Sequence, residues 1–502
     1  MRYSEILAGV EVLERSGPDP EIAGVEYDSR RVGEGALFVA MRGETVDGNR
    51  YIASAFEKGA AAILTDSVET MAEWSSRPEV AIARAPHGRQ ALAGAAANFF
   101  AHPERHLAVS GVTGTNGKTT TAFLLEGLMQ RASRKTVLVG TIECHLAGQV
   151  LPSPHTTPES RDLLDLFRRG VDAGATEAVM EVSSHALAQG RVFGIPYDVA
   201  IFTNLTRDHL DFHGTMKEYF AAKRKLFDAS LGRAPRVSVL NADDPHGEQL
   251  AAYAREQGSE VFTYGMNGGD FRAESVELGS RGMRFHLHTP SGAAQVTTKL
   301  VGRVNVYNLL GVSAAAMARG LALEEVVAAI ATLPSVPGRF QTVDEGQPFA
   351  VVVDYAHTDD ALRNLIALAR DLVRDHNGRV ITMFGCGGDR DRTKRPLMGR
   401  AAAEGSDVVV LTSDNPRSEE PEAILADILP GLAGLGTPYT QEPDRTRAIH
   451  AAIRAARPGD IVLLAGKGHE KTQTLRQGTI PFDDAAVAAA ALREMKDSGA
   501  TP

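Results

Sequence analysis

The stretch Gly111-Val112-Thr113-Gly114-Thr115-Asn116-Gly117-Lys118-Thr119-Thr120 lies between an apolar run at residues 107–109 and an amphipathic segment at residues 121–129. This pattern predicts a strand, a glycine-rich loop and a helix. In such a loop the backbone N–H groups surround a phosphate, the lysine neutralises the terminal phosphates and the next hydroxyl binds Mg²⁺. The stretch therefore predicts a site for ATP or GTP, although the common G-x-x-x-x-G-K-[ST] pattern has glycine where this chain has Val112. The alternative is a glycine turn with a solvated lysine.

Length, charge and cysteine content limit the possible classes of protein. A chain of 502 residues is long enough for three domains. A net charge of −10 gives no general attraction to nucleic acid or anionic membranes, so we expect neither as a partner. The two cysteines fit a reducing compartment. With no apolar run long enough for a signal peptide or a membrane span, we expect a cytoplasmic protein.

The order of predicted elements indicates an α/β fold with three domains. Residues 1–103 predict a small α/β domain. In residues 104–336 apolar β-branched runs alternate with helical segments, which predicts a mostly parallel sheet with helices on both faces. Within it, residues 270–300 alternate with a period of two and predict antiparallel strands at the sheet edge. Residues 337–502 predict a second doubly wound, Rossmann-like sheet.

Polar loops follow four predicted strands of the last domain, at residues 354–357, 386–392, 414–417 and 466–470. Ligands of open α/β sheets bind at the carboxyl ends of the strands, so we expect these loops to share one edge. Two arginines, Arg390 and Arg417, offer forks for a carboxylate, and Asp414 and Glu470 offer acceptors for an ammonium group.

The central domain carries the candidate metal and catalytic residues. Glu181 ends a predicted strand on the same edge as the glycine loop, where it is placed to bind Mg²⁺ together with Thr119; the alternative is a helix-capping acid. The loop at residues 204–213 contains two histidines and two aspartates, and His209 is preferred to His213 as a ligand. Lys223 lies on a predicted helix, where a lysine is usually solvated with its stem packed.

Together these motifs resemble the Mur ligases. The matching segments span essentially the whole chain in order: 114–120, 181–185, 204–209, 221–223, 305–308, 337–339, 354–357 and 414–417. The similarity is greatest to the branch that adds meso-2,6-diaminopimelate, because Asp414-Asn415-Pro416-Arg417 is the intact motif of that branch. The loop at residues 44–46 does not repeat the residue types of the best-known members.

The resemblance implies a cytoplasmic, three-domain, ATP-dependent ligase of peptidoglycan precursor synthesis. It would join diaminopimelate to the D-glutamate carboxylate of UDP-N-acetylmuramoyl-L-alanyl-D-glutamate through an acyl phosphate. ATP would be the co-substrate, with two Mg²⁺ ions and with CO₂ for carbamylation of a lysine. These small molecules would be its partners, and we expect a monomer.

The resemblance also assigns roles to particular residues. Catalysis would use Lys118, Glu181, His209 and Lys223, the last as N6-carboxylysine, and Mg²⁺ would bind to Thr119, Glu181, His209 and the Lys223 carbamate. ATP would be bound by Gly114, Thr115, Asn116, Gly117, Lys118, Thr119, Thr120, Asn305, Arg339, Asp354 and His357. The UDP-linked substrate would be bound by Ser29, Glu44, Thr45, Val46, Thr156, Thr157, Ser183, Gln189 and Arg191. Diaminopimelate would be bound by Arg390, Asp414, Asn415, Pro416, Arg417, Gly466 and Glu470.

Two other functions are alternatives to that of a Mur ligase. Folylpolyglutamate synthetase belongs to the same superfamily, but it lacks the first domain and the Asp-Asn-Pro-Arg loop. A nonenzymatic nucleotide switch would bind nucleotide without any phosphate release that depends on a muropeptide.

Overall fold

The computed structural model describes residues 1–43, 46–279, 282–374 and 377–497. The chain forms two compact units. The first unit contains residues 1–274, 287–294 and 307–329, and the second contains residues 275–286, 295–306 and the chain from Ile330 onward. No described helix is both long and apolar enough to cross a membrane.

The first unit begins with a five-stranded sheet of order β1-β5-β4-β3-β2. Only β1 is antiparallel. The fully buried strand β3 alternates between two cores, with Leu37 and Val39 in one and Phe38 in the other, as expected for a sheet covered on both faces. The elements are β1 (Glu14–Ser16), β2 (Gly24–Glu26), β3 (Ala36–Ala40), β4 (Ala62–Thr65) and β5 (Ala81–Arg84), with helices α1 (Tyr3–Ile6), α2 (Ile52–Glu57), α3 (Val68–Trp74) and α4 (Gly88–Phe99).

The next sheet has eleven strands. They are β6 (Ala108–Thr113), β7 (Thr136–Val139), β8 (Glu143–Leu146), β9 (Gln149–Pro152), β10 (Glu177–Glu181), β11 (Tyr197–Phe202), β12 (Val237–Asn241), β13 (Glu260–Gly265), β14 (Phe271–Gly279), β15 (Gly282–Thr289) and β16 (Gly292–Thr298). Their order is β16-β15-β14-β13-β12-β11-β6-β10-β7-β8-β9. The run from β7 through β10, β6, β11 and β12 to β13 is parallel, so the loops after β6, β10 and β11 meet at one edge.

Helices connect these strands: α5 (Lys118–Arg131), α6 (Ser160–Asp172), α7 (Ser184–Gln189), α8 (Leu210–His213), α9 (Met216–Arg224), α10 (Pro245–Glu256), α11 (Arg303–Ala318) and α12 (Leu323–Ile330). Several begin at a side-chain cap, since Ser183 accepts a hydrogen bond from the N–H of Ala186, and Thr215 accepts one from the N–H of Glu218. These caps fix the entry of α7 and α9 next to the loops at the sheet edge.

The second unit contains a six-stranded sheet of order β17-β18-β22-β19-β20-β21 and a hairpin, β23-β24. Strands β18, β22, β19, β20 and β21 are parallel, and β17 is antiparallel to β18. The elements are β17 (Gln341–Thr342), β18 (Ala350–Asp354), β19 (Val380–Phe384), β20 (Val408–Leu411), β21 (Tyr439–Gln441), β22 (Ile461–Ala465), β23 (Thr472–Leu475), β24 (Gly478–Pro481), α13 (Asp359–Val373), α14 (Lys394–Gly405), α15 (Pro421–Ile428), α16 (Arg445–Ala455) and α17 (Asp484–Asp497).

The expected α/β fold with mostly parallel sheets is confirmed, and two local expectations are corrected. The strand expected at 107–109 continues to Thr113, and the helix begins at Lys118 rather than at 121 because Gly117 turns the chain with a positive φ of 85°. Residues 270–300 form edge strands as expected, but the first pairing, between β13 and β14, is parallel rather than antiparallel.

A partly buried ion cluster ties α5 to β8. The ring nitrogens of His145 lie 2.6 Å from Glu126 Oε2 and 3.0 Å from Glu143 Oε1. Burial alone would lower the pKa of His145, but the two carboxylates together raise it to about 9.

We therefore predict that His145 stabilises the fold in a pH-dependent way. A folded-state pKa raised above the unfolded value of about 6.5 gives stability that is fully present below pH 6.5 and is lost as the pH rises through about 9. Urea unfolding at pH 6 should show His145→Gln to be less stable than the wild type by about 2–3 kcal/mol, and the difference should shrink above pH 9. The exposed His106→Gln is the control, and a His145 effect independent of pH would contradict the prediction.

Candidate active site

The glycine-rich loop between β6 and α5 has the conformation expected of a phosphate cradle. Gly114 has a φ of 150°, and a Cβ at this position would collide with Thr203 Oγ1. Gly117 has a φ of 85°, and a Cβ there would lie 2.9 Å from Asn308 Oδ1. Only glycine fits such a backbone without strain, and the absence of a Cβ at both positions lets the chain turn tightly into the start of α5.

The loop after β11 supports this cradle. The N–H of Thr115 donates to the carbonyl of Asn204 at 2.8 Å, and the N–H of Asn116 donates to Asn204 Oδ1 at 3.0 Å. Thr203 Oγ1 donates to the carbonyl of Asn116 at 2.6 Å. Because β6 and β11 are adjacent parallel strands, the two loops hold each other in one conformation.

Two lysines converge on one backbone oxygen in this loop. Lys118 Nζ lies 2.9 Å from the carbonyl oxygen of Gly114, and Lys223 Nζ lies 2.7 Å from the same atom. Lys223 is 1% exposed, and its amine stands over the ring of Tyr219 at 4.6 Å. Burial, reinforced by the charge of Lys118, holds the pKa of Lys223 well below its usual range. The expectation of a solvated lysine on this helix is therefore wrong.

Glu181 ends β10 beside the loop and is fully buried. Its Oε2 accepts hydrogen bonds from Thr119 Oγ1 at 2.9 Å and Thr141 Oγ1 at 3.1 Å, and its Oε1 accepts one from the Thr141 N–H at 2.7 Å. The structure thus pairs the two residues expected to share a metal ion. Among the described residues no group of three or more histidine, cysteine or acidic side chains could hold a metal by itself.

The loop histidines form an aromatic cluster with Tyr219. The rings of His209 and His185 are 4.9 Å apart, and the ring of His213 is 5.0 Å from that of Tyr219. His213 Nε2 lies 2.9 Å from Ser184 Oγ, whereas the nearest acid to His209 Nε2 is Asp208 at 3.4 Å. Burial and the neighbouring cations lower the pKa of both, that of His213 to about 4. Their neutral rings are suited to accepting a metal or a hydrogen bond.

Five of the residues expected to bind the UDP-linked substrate form one network. Thr157 Oγ1 donates to the Glu181 carbonyl at 2.8 Å and accepts from the Ser183 N–H at 3.1 Å. Arg191 donates to the Thr157 carbonyl at 3.0 Å and to Gln189 Oε1 at 2.9 Å. Thr156 Oγ1 joins this network through Thr141, at 3.0 Å.

The remaining residues expected to bind the UDP-linked substrate are Ser29 and residues 44–46, near the start of the chain. Ser29 follows β2, and its carbonyl accepts from Lys58 at 2.8 Å. Val46 is 53% exposed, while Glu44 and Thr45 lie outside the described residues. A cavity of about 470 Å³ in the first unit has Gln189 in its wall, together with Arg42, His87, Arg89, Lys225 and Leu231.

In the second unit, Asp354 is the last residue of β18 and holds the backbone on either side of it. Its carboxylate accepts from the N–H of Phe340 at 2.7 Å and of Ala356 at 2.8 Å, and burial raises its pKa. The guanidinium of Arg339 stacks 5.0 Å from the Tyr355 ring, and His357 Nδ1 lies 2.8 Å from the Tyr355 carbonyl. Asn305 is 4% exposed and donates to the carbonyl of Val301 at 2.8 Å.

The loops after β18, β19, β20 and β22 lie at one edge, as predicted. Arg417 Nη1 donates to the Gly388 carbonyl at 2.7 Å, Asn415 Nδ2 donates to Glu470 Oε2 at 2.8 Å, and the Gly466 N–H donates to the Asp354 carbonyl at 3.1 Å. Pro416 is buried, and its carbonyl lies so near Gly388 that a Cβ on this glycine would collide with it. Arg390 is exposed on the loop after β19.

At the sheet edge of each unit the structure adds residues that sequence reasoning did not select. Thr141 holds Glu181, and Lys467 lies fully buried beneath Asn415 and Glu470. Arg395, also fully buried, links the Gly387 carbonyl to Glu419. A signal was available for two of them, since Thr141 and Lys467 each follow a buried strand of their own sheet within two residues, at its carboxyl end.

Comparisons with known proteins agree with this geometry. Three family models match consecutive parts of the chain: "Mur ligase family, catalytic domain" over residues 21–109, "Mur ligase middle domain" over residues 112–316, and "Mur ligase, glutamate ligase domain" over residues 338–468.

Full-length relatives and a solved structure are similar as well. The UDP-N-acetylmuramoyl-L-alanyl-D-glutamate--2,6-diaminopimelate ligase of Solibacter usitatus (strain Ellin6076) is 51% identical over 500 residues, covering 98% of both chains. The protein of the same name in Geobacillus kaustophilus (strain HTA426) is 46% identical over 484 residues, covering 95% of this chain and 96% of that one. A solved structure under that name has a TM-score of 0.70 and 33% identity, covering 95% of both chains. The chain therefore belongs to the Mur ligase family of enzymes.

Proposed function

We propose that this chain is an ATP-dependent ligase that joins meso-2,6-diaminopimelate to the D-glutamate carboxylate of UDP-N-acetylmuramoyl-L-alanyl-D-glutamate. The observation that carries this proposal is the 51% identity, over 98% of the chain, to a relative named for this reaction. The contacts of the glycine-rich loop in the first unit and of the polar loops in the second unit support it.

We also propose three domains, at residues 1–103, 104–336 and 337–502, for the UDP-linked substrate, ATP and the amino acid respectively. The two junctions between these domains lie near the junctions between the spans matched by the three family models, at residues 109–112 and 316–338. Each span also has its own parallel-dominated sheet. The proposed ligands lie where the carboxyl ends of the strands meet.

The proposed ATP site is built on the glycine loop. The N-terminus of α5 and the Lys118 side chain would receive the phosphates, because a helix N-terminus and an ammonium group both favour negative charge. The loop and the first turn of α5 supply Gly114, Thr115, Asn116, Gly117, Lys118, Thr119 and Thr120, and we propose Asn305, Arg339, Asp354 and His357 as further nucleotide contacts.

Thr119 and Glu181 fit a magnesium ion at this site. They offer hydroxyl and carboxylate oxygens 2.9 Å apart, and Mg²⁺ usually binds one or two protein oxygens together with phosphate oxygens and water rather than a complete protein cage. We propose a second ion on His209, Glu181 and a carbamate of Lys223. When bound, such ions neutralise charge that develops on the phosphates.

Lys223 is suited to carbamylation because its amine is buried and its pKa is lowered. The neutral amine would attack CO₂, a nitrogen–carbon bond would form, and the nitrogen would release one proton to give an anionic carbamate. This places an anionic carbamate beside the ammonium group of Lys118, where the opposite charges attract.

The proposed reaction has two steps. The γ-phosphoryl group of ATP moves to an oxygen of the D-glutamate carboxylate, which gives an acyl phosphate and ADP. The unprotonated amine of diaminopimelate then attacks the acyl carbon, and phosphate leaves as the amide forms and the nitrogen loses a proton. Lys118 offsets the repulsion between the anionic reactants in the first step.

We propose that the UDP-linked substrate is bound by Ser29, Glu44, Thr45, Val46, Thr156, Thr157, Ser183, Gln189 and Arg191. The network that joins Thr157 and Ser183 to Glu181 supports this proposal, because it connects the substrate side to the phosphate loop. The hydrogen bonds of Arg191 to Gln189 and Thr157 orient its guanidinium within the same network.

We propose that diaminopimelate is bound by Arg390, Asp414, Asn415, Pro416, Arg417, Gly466 and Glu470. Diaminopimelate differs from lysine by a carboxylate on its distal amino-acid head, so its site needs both a donor fork and an acceptor. Arg417 and Arg390 border Gly387 from the same side, since a Cβ on that glycine would lie 3.0 Å from Arg417 Nη1 and 3.7 Å from Arg390 Cγ.

A panel of radiolabelled amino acids tests the proposed function directly. With ATP and UDP-N-acetylmuramoyl-L-alanyl-D-glutamate, we expect incorporation of meso-diaminopimelate with matching phosphate release, and little or no incorporation of lysine. Preference for lysine would reject the substrate assignment. Nucleotide binding without phosphate release that depends on the muropeptide would instead indicate a nucleotide switch.

Arg417→Ala should raise the KM for diaminopimelate about tenfold or more and leave the KM for ATP nearly unchanged. Removing one partner of a desolvated charge pair costs about 2–5 kcal/mol, and Arg417→Lys should recover only part because it lacks the planar fork. The matched control is Arg392→Ala, since Arg392 pairs with Asp427 at 2.8 Å on the neighbouring loop. An equal effect of Arg417→Ala on both KM values would place Arg417 outside the amino-acid site.

Lys223→Ala should be nearly inactive, and a small carboxylic acid added to the assay should partly restore activity. The acid would replace the anionic carbamate, whereas chloride at equal ionic strength should have no effect. Lys217→Ala, an exposed lysine on the same helix, is the control. Full activity of Lys223→Ala in carbonate-depleted buffer would reject the carbamate.

A further inference from the structure

Lys467 is a fully buried lysine in the loop after β22. Its Nζ lies 3.0 Å from Asn415 Oδ1, 3.0 Å from Glu470 Oε2 and 3.6 Å from Asp414 Oδ1. Taking an ammonium group out of water is costly unless opposite charges and hydrogen bonds compensate for it. Two of its three neighbours are the acceptors proposed for the amino-acid substrate.

We infer that Lys467 is a positioning residue for amino-acid selection: it holds Glu470 and Asp414 as an acceptor pair with one net negative charge. This inference rests on the proposed function. Two carboxylates and one buried ammonium leave a single negative charge, which matches one incoming ammonium group. The nearby buried Arg445 does not change this balance, because Asp484, also fully buried, pairs with it at 2.6 Å.

Hydrogen bonds from Lys467 also fix the geometry of the acceptors. Glu470 Oε2 accepts from both Lys467 Nζ and Asn415 Nδ2, so that oxygen is occupied and the carboxylate cannot rotate freely. Asn415 Oδ1 accepts from Lys467 and from the Thr474 N–H at 2.9 Å, which fixes the direction of its amide.

Asp414 provides an acceptor that an amino-acid head would complete. Its Oδ1 is buried, and no donor among the described residues forms a hydrogen bond with it. A buried acceptor without a donor is costly, and a substrate ammonium group at this position would supply the missing hydrogen bond. Lys467, at 3.6 Å, stabilises the charge without occupying the oxygen.

The charge of Lys467 also sets the pH range in which Glu470 is ionised. The charged and titratable groups around Glu470 are Lys467, His469, Arg445, Tyr355 and Asp414. Burial would raise the pKa of Glu470, but Lys467 and the Asn415 hydrogen bond outweigh it and lower the pKa. Without Lys467 the pKa of Glu470 should rise. On acidification, Glu470 should then become protonated at a higher pH than in the wild type.

Lys467→Met tests the inference, with Lys471→Met as the matched control because Lys471 is 61% exposed on the same segment. We expect the KM for diaminopimelate to rise about tenfold or more, while the KM for ATP changes less than about twofold. The acid limb of kcat/KM for diaminopimelate should move to higher pH. Unchanged diaminopimelate KM and pH profile, or equal changes in both KM values, would overturn the inference.

A second variant of Lys467 and a double-mutant cycle complete the test. If Lys467→Met does not fold, Lys467→Gln retains an amide donor without the charge; failure of both to fold would overturn the inference by making Lys467 a purely structural residue. A double-mutant cycle with Glu470→Gln should be strongly non-additive, and additive effects would contradict an action through Glu470. The wild type is assayed first: if it adds no diaminopimelate, the proposed function fails, whereas an active wild type with an unaffected Lys467→Met rejects only this inference.

Discussion

The carbonyl oxygen of Gly114 accepts hydrogen bonds from two lysine amines, that of Lys118 at the start of α5 and that of Lys223 on α9. Burial penalises the charge on Lys223, and the nearby charge of Lys118 adds to this penalty. Together they hold the pKa of Lys223 well below its usual range. A buried amine with a lowered pKa beside a phosphate cradle is the feature from which the proposed catalytic roles in the first unit follow.

Parallel strands bring the loops that carry these residues together. The loops after β6, β10 and β11 meet at one sheet edge because their strands are adjacent and run in the same direction. The second unit uses the same arrangement, with polar loops after β18, β19, β20 and β22. In both places a buried lysine, Lys223 or Lys467, lies under the loops. The shared principle is that the amine of a buried lysine donates hydrogen bonds that hold polar loops in one conformation.

Local sequence patterns predicted the parts of the molecule that depend on local structure. The glycine loop follows from the backbone freedom of Gly114 and Gly117, and the placing of Glu181 beside Thr119 follows from strand direction. The four loops of the second unit were expected to meet for the same reason.

Burial was harder to predict, because it depends on residues distant in sequence. A lysine on an amphipathic helix is ordinarily solvated, yet Lys223 reaches the Gly114 carbonyl 109 residues away in the chain. Lys467 likewise depends on Asn415, 52 residues earlier. The parallel start of β14 was also missed, since alternating apolar residues indicate a half-buried strand without specifying the direction of its partner.

The most direct test of the account is ¹³C NMR of the wild-type protein equilibrated with ¹³C-labelled bicarbonate at neutral to mildly alkaline pH. We expect a protein-bound carbamate resonance that is absent from Lys223→Ala and present in Lys217→Ala. Absence of that resonance from folded wild-type protein, together with an ordinary lysine pKa for Lys223, would contradict it.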